Sequence, residues 1–159
     1  MREFLFRGKR IDNGEWVIGD LVHRTQFYGI PDDCYFILTD GEFHADFYYS
    51  AEVDCKTIGQ YTGLTDKNGK KIFEGDILSV NIRESIVECG ARRYTGRKIK
   101  TLWTVEYGER NAQGNGFYVF GLNRRFSLGL TRSVLYNAEP EVIGNIHDNP
   151  ELFKKDDER

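Results

Sequence analysis

The chain has 159 residues, 40% of them apolar, with 11 Phe, 9 Tyr, 2 Trp, 17 Gly, one Met and a net charge of −3. That length suits one domain that buries about two-thirds of its unfolded surface without staples. The aromatic, Met-poor composition excludes a helical bundle, and the net charge excludes a protein that binds polyanions over its whole surface.

Taken in chain order, Asn13-Gly14 is the first hairpin signal and joins a strand over Phe4–Ile11 to one over Glu15–Arg24. Asn-Gly tolerates the positive φ of a type I′ turn. Residues 35–49 alternate, with Glu42, His44, Asp46 and Tyr48 on one face and Phe43, Ala45, Phe47 and Tyr49 on the other. Asn68-Gly69 then joins Ile58–Leu64 to Lys70–Phe73, and Asp76 leads a half-buried strand in which Leu78, Val80 and Ile82 alternate. Further strands are expected at Lys100–Tyr107, Gly116–Leu122 and Glu141–Ile146, with Gly114, Asn115 and Gly116 turning between the first two. Arg132–Asn137 reads equally as a short helix or an irregular turn. Asn149-Pro150-Glu151 caps a terminal helical turn that packs Leu152 and Phe153, and residues 154–159 are a frayed tail.

One phrase is written twice. FRGKRIDNG at Phe6–Gly14 is echoed by YTGLTDKNG at Tyr61–Gly69, and each copy leads to a Gly-Asp step, Gly19-Asp20 and Gly75-Asp76. In both, Gly permits a bulge or bend and the Asp carboxylate accepts backbone N–H groups of the turn. Asn13, Gly14, Gly19, Asp20, Asn68, Gly69, Gly75 and Asp76 are therefore read as a structural turn motif.

Two further segments carry a resemblance. Ile58–Leu78 (IGQYTGLTDKNGKKIFEGDIL) and Glu141–Phe153 (EVIGNIHDNPELF) resemble the signature segments of the phage YopX family, and the opening FRGKRIDNGEWVIGDLV resembles the N-terminal segment of some members. The resemblance implies a phage- or prophage-encoded protein of the bacterial cytoplasm. It also implies a mainly β fold with an SH3-type barrel, additional hairpins and a short C-terminal helix. It brings no catalytic motif. The expected organisation is one compact domain: an N-terminal β unit over 1–57 packed on a barrel core over 58–153, with a basic insertion at about 83–100 that reads as a long exposed hairpin or loop between two strands.

Cys34, Cys55 and Cys89 are odd in number and widely spaced, which reads as free thiols in a reducing compartment. No charged-then-apolar leader opens the chain, and no apolar run approaches the roughly 20 residues of a membrane span. His44 and Asp46 share a strand face, but a zinc site wants three or four ligands, and nothing in the spacing requires His23 or His147 to join them. Cys89 lies close to Arg92 and Arg93 without a suggested base. A polar strand face and an idle thiol are the plainer readings, and no cofactor, metal or catalytic set is expected.

The best functional candidate is the segment RRYTGRKIK. Arg92, Arg93, Arg97, Lys98 and Lys100 surround Tyr94, so cations could track a phosphate backbone while an aromatic ring stacks on a base. Arg124, Arg125 and Arg132 extend this patch if they lie on the same side. Exposed β-hairpins also carry Lys and Arg simply as edge protection. The leading expectation is a non-enzymatic homo-oligomer that binds an unidentified host or phage protein through aromatic-rich strands over 33–49 and 106–126. The alternative is a single-stranded nucleic-acid binder using residues 92–100.

Overall fold

The computed structural model describes residues 3–24, 34–39, 50–89, 91–109, 115–121 and 127–153. The chain divides into two compact units, Met1–Gly63 and Leu64–Arg159. The sequence places the change at 57–58, just before the second copy of the repeated phrase.

The first unit is an antiparallel sheet of β1 (Phe6–Lys9), β2 (Trp16–Arg24), β3 (Cys34–Leu38), β4 (Ser50–Val53) and the start of β5 (Gly59–Thr65), in the order β4-β3-β2-β1-β5. Ile37 and Val53 are its most buried side chains. Gly8 is required beneath Val53, because a Cβ there would come within 2.9 Å of the Val53 Cβ. β4 curls back toward the end of β1: Ile11 donates to the Glu52 carbonyl at 3.0 Å and Asp54 to the Lys9 carbonyl at 2.9 Å. This contact is a single bridge, Arg10 to Val53, and not a ladder. A 3₁₀ turn, Cys55–Thr57, follows; the Asp54 carboxylate caps it and the Thr57 hydroxyl accepts the Lys9 N–H at 2.8 Å.

The second unit opens with a hairpin from the end of β5 into β6 (Lys71–Phe73). Its main sheet has the order β10-β9-β8-β7-β11, built from β7 (Asp76–Glu88), β8 (Ala91–Glu109), β9 (Asn115–Gly121), β10 (Ser127–Gly129) and β11 (Glu141–Asn145). The helix α1 (Arg132–Ala138) settles the ambiguity left by the sequence. Thr131 caps it by accepting the Val134 N–H, and Glu139 ends it in the left-handed region at φ 46°. The core joins Ile72, Leu78, Val80, Trp103, Val105, Val119, Leu130, Leu135 and Ala138. Each fully buried aliphatic side chain there contributes about 1.5–3 kcal/mol. Pro150–Phe153 forms the expected terminal turn, as a 3₁₀ helix.

The mainly β character stands, but the expected SH3-type barrel does not appear. Among the described residues neither antiparallel sheet closes on itself. The reason in the second unit lies in β7 and β8, which among the described residues run on together past β11 and β9 instead of bending round to meet a partner.

The turn chemistry also differs from expectation. Gly14 and Gly69 take positive φ (73° and 83°), while neither Asn13 nor Asn68 does, so neither turn is type I′. The first hairpin closes a four-residue loop between Arg10 and Glu15, and the second a three-residue loop between Asp66 and Lys70. Loops of these lengths use a right-handed turn followed by one left-handed Gly. The two Gly-Asp steps are also used differently. Gly75 turns at φ 80°, and the buried Asp76 carboxylate accepts the Phe73 N–H at 2.8 Å. Gly19 lies within continuous β2, where an added Cβ would sit 1.8 Å from the Leu38 carbonyl oxygen, and Asp20 is exposed. One step bends the chain; the other lets two strands approach.

Candidate nucleic-acid interface

The residues singled out at 92–100 belong to a two-stranded ribbon, so of the hairpin and the loop that the sequence allowed, the hairpin is the one formed. Its inner part is held by alternation: Leu78, Val80 and Ile82 on β7 lie opposite Trp103, Thr101 and Ile99 on β8 and share the core face. β11 pairs with β7 only over Asp76–Ser79, and β9 pairs with β8 only over Trp103–Glu109. Beyond those limits β7 and β8 pair with each other alone among the described residues, out to Glu88 opposite Ala91. Val80 there is still buried in the core and Ile82 packs against it, but past the Ile82–Ile99 pair the described side chains of Arg83, Glu88, Ala91 and residues 93–98 are exposed, where charge is readily kept. Cys89 begins the end turn at φ 50°.

A bulge interrupts the ribbon. Arg83 pairs with Lys98 and Ser85 with Tyr94, so Glu84 faces three residues, Thr95, Gly96 and Arg97. Gly96 takes φ 78°, which no other residue type adopts without strain here. The Thr95 hydroxyl donates to the Glu84 carboxylate at 2.9 Å, and the Arg97 N–H donates to the Thr95 hydroxyl at 3.3 Å.

Residues 83–100 carry six cations and two carboxylates in a chain of net charge −3. Arg93, Tyr94, Arg97, Lys98 and Lys100 are all exposed, Tyr94 at 64%. Lys98 and Lys100 share the face away from Trp103 and Val105 by alternation. Arg93 lies 3.9 Å from Glu88, and Lys98 lies 3.7 Å from Glu139 at the end of α1. Pairs this exposed are weak and leave the cations available. The Arg92 side chain lies outside the described ones.

The other candidates are dispersed or engaged. His23 stacks on Tyr35 at 4.5 Å, and the His147 backbone N–H donates to the Asn145 side-chain oxygen at 2.9 Å. His44, Asp46, Arg124 and Arg125 lie outside the described residues; Arg132 is exposed at the start of α1. No group of three or more His, Cys, Asp or Glu able to hold a metal occurs among the described residues. Cys34 is buried, Cys55 and Cys89 are exposed, and all three are free thiols. No described helix is long and apolar enough to cross a membrane.

In the turn motif, the Asn13 side-chain oxygen accepts the Glu15 N–H at 2.9 Å. The second hairpin instead relies on Asp66, a residue the sequence reading passed over. One of its oxygens accepts the N–H groups of Asn68 and Lys70 at 2.8 and 2.9 Å, and the other accepts Val142 at 3.1 Å. The local signal was present in Asp66-Lys67-Asn68-Gly69, an Asx-turn spelling; the Val142 bond was not. Likewise Thr95-Gly96 spelled a turn-prone step inside the ribbon, but the Glu84 carboxylate that meets Thr95 lies across the ladder, and Glu139, which lies near Lys98, comes from the end of α1.

Against known proteins, the sequence pattern described as YopX protein matches residues 5–154. The crystal structure of protein EF1440 from Enterococcus faecalis is similar at 26% identity and a TM-score of 0.50, covering 96% of this chain and 99% of that one. No curated protein matches.

Proposed function

The chain belongs to the YopX family, and we propose that it is a non-enzymatic macromolecule-binding module whose contact element is the outer part of the β7–β8 ribbon, with nucleic acid as its target. The observation that carries this reading is the concentration of exposed cations on one two-stranded element while the rest of the chain is acidic. Charge placed this way draws a polyanion to one surface and repels it from the others. The setting is the cytoplasm of a bacterium, with a phage or prophage as the source of the gene.

A protein partner is the second reading, and it is favoured by ribbon edges that no other strand pairs with among the described residues, since an extended peptide or a second copy could add as a strand. The cations weigh against this, because Lys and Arg on an edge discourage strand addition. Of the aromatics expected to anchor a protein partner, Tyr118 is buried and Arg24 lies over Phe36, whereas Tyr107 packs edge-to-face on Phe117 and is still 51% exposed.

A tagged pull-down from bacterial lysate, with and without nuclease, separates the readings. Nucleic acid should co-purify with the wild-type chain and be lost from R93A/R97A/K98A/K100A. A specific protein that survives nuclease and depends on the same residues would transfer the ribbon to the second reading. Sedimentation of the purified chain tests the proposed homo-oligomer.

A further inference from the structure

We infer that the nucleic acid is double-stranded, with the outer β7–β8 ribbon seated in its groove; this rests on the nucleic-acid reading above. The first support is shape. Two antiparallel strands lie about 4.8 Å apart, and with side chains they fit a major groove about 12 Å wide, which admits a two-stranded ribbon. Ile82 still packs against the core, and from the Ile82–Ile99 pair the ribbon runs on to the Glu88–Ala91 pair. At roughly 3.3 Å per residue this is about 20 Å, enough to follow a groove for about six base pairs.

The second support is what the ribbon lacks. Binding a single strand without sequence preference uses a row of aromatic rings on which successive bases stack. Residues 83–100 contain one aromatic, Tyr94. Their cations instead occupy both phases of the strand: Lys98 and Lys100 on one face, and Arg93 out of phase with Tyr94 and opposite Ile86. Charge on both sides of a ribbon suits phosphates on both walls of a groove better than one flexible backbone.

The third support is the cost the free protein bears. Arg83 and Lys98 are directly opposite each other, a like-charge juxtaposition unfavourable in a ladder, set against the weak exposed pair of Lys98 with Glu139 at 3.7 Å. Phosphates on the groove wall would relieve that repulsion. The bulge at Thr95–Arg97 increases the local right-handed twist, so the two halves of the ribbon need not lie flat across a curved groove.

The test is fluorescence anisotropy with the full chain, a labelled duplex of about two helical turns and each of its separated strands, between 50 and 200 mM salt. The duplex should bind at least about tenfold more tightly than either strand, an interval of about 1.4 kcal/mol. Its log affinity should fall with log salt by about 0.9 for each phosphate contacted, and R93A/R97A/K98A/K100A, which removes four cations, should lose about 3.6 units of that slope. Those four side chains are exposed, so the variant should keep the wild-type circular dichroism, which separates lost contacts from lost fold. Y94A should leave duplex affinity within about twofold. Equal or tighter binding of a single strand, or a large Y94A loss, would overturn the duplex inference and leave the proposed function standing. Binding to neither at 50 mM salt would overturn both.

Discussion

Asp66 is the residue whose chemistry reaches furthest through the second unit, because one carboxylate satisfies backbone N–H groups of Asn68, Lys70 and Val142. Burial by itself would raise its carboxyl, but the N–H groups of Val142, Lys70 and Asn68 together hold it below the ordinary carboxylate range. A carboxylate lowered in the folded state stabilises it fully above the unfolded value, near 3.9 by about a unit, and that contribution disappears as pH falls through the lower folded value. D66N puts an amide donor against one of these N–H groups. It should cost about 1–3 kcal/mol at neutral pH and flatten the acid limb, as read by urea unfolding at pH 7 and pH 3. Glycines provide a second contrast. G19A drives a Cβ into the Leu38 carbonyl and should cost about 3 kcal/mol or more, whereas G108A, whose Cβ meets nothing within 4 Å, should be neutral or slightly stabilising. Thermal melts of the two variants check this pair.

At the scale of the element, the ribbon and α1 are stabilised in opposite ways. The outer ribbon has a ladder but little burial, so its stability is local. G96A forces a side chain into φ 78° and should strain the bulge by about 1–2 kcal/mol. Hydrogen exchange should accelerate across residues 83–97 while the global unfolding midpoint stays in place; a fall in the midpoint would mean that the ribbon unfolds with the core. α1 is only seven residues long and depends on its cap and on the burial of Leu135 and Ala138. T131A removes the acceptor for the Val134 N–H and should lower overall stability by about 0.5–2 kcal/mol, measurable by chemical denaturation.

At the scale of the whole molecule, the buried core residues from Ile72 to Ala138 all lie within the second unit. A fragment over 64–159 should therefore fold alone, giving a dispersed amide NMR spectrum and a cooperative melt; a molten spectrum would show that the first unit is needed. The charge map is the other property at this scale. A net charge of −3 excludes indiscriminate polyanion binding, yet it conceals a cationic ribbon, because a sum over the chain is blind to where opposite charges are placed.

The sequence by itself determined the β class, most strand positions, the two hairpins, the family resemblance and the cationic segment, because alternation, Asn-Gly turns and charge runs are written in neighbouring residues. It also carried the interest of Arg93, Tyr94, Arg97, Lys98 and Lys100. Only the tertiary structure decided between a hairpin and a loop at residues 83–100, in favour of the paired ribbon, and showed that no barrel closes among the described residues and that Gly19 and Gly75 serve different ends. It alone brought Val142 to Asp66 and Glu139 to Lys98. Those outcomes depend on which strand lies beside which, and pairing partners far apart in the chain leave no mark in the local pattern that each of them shows.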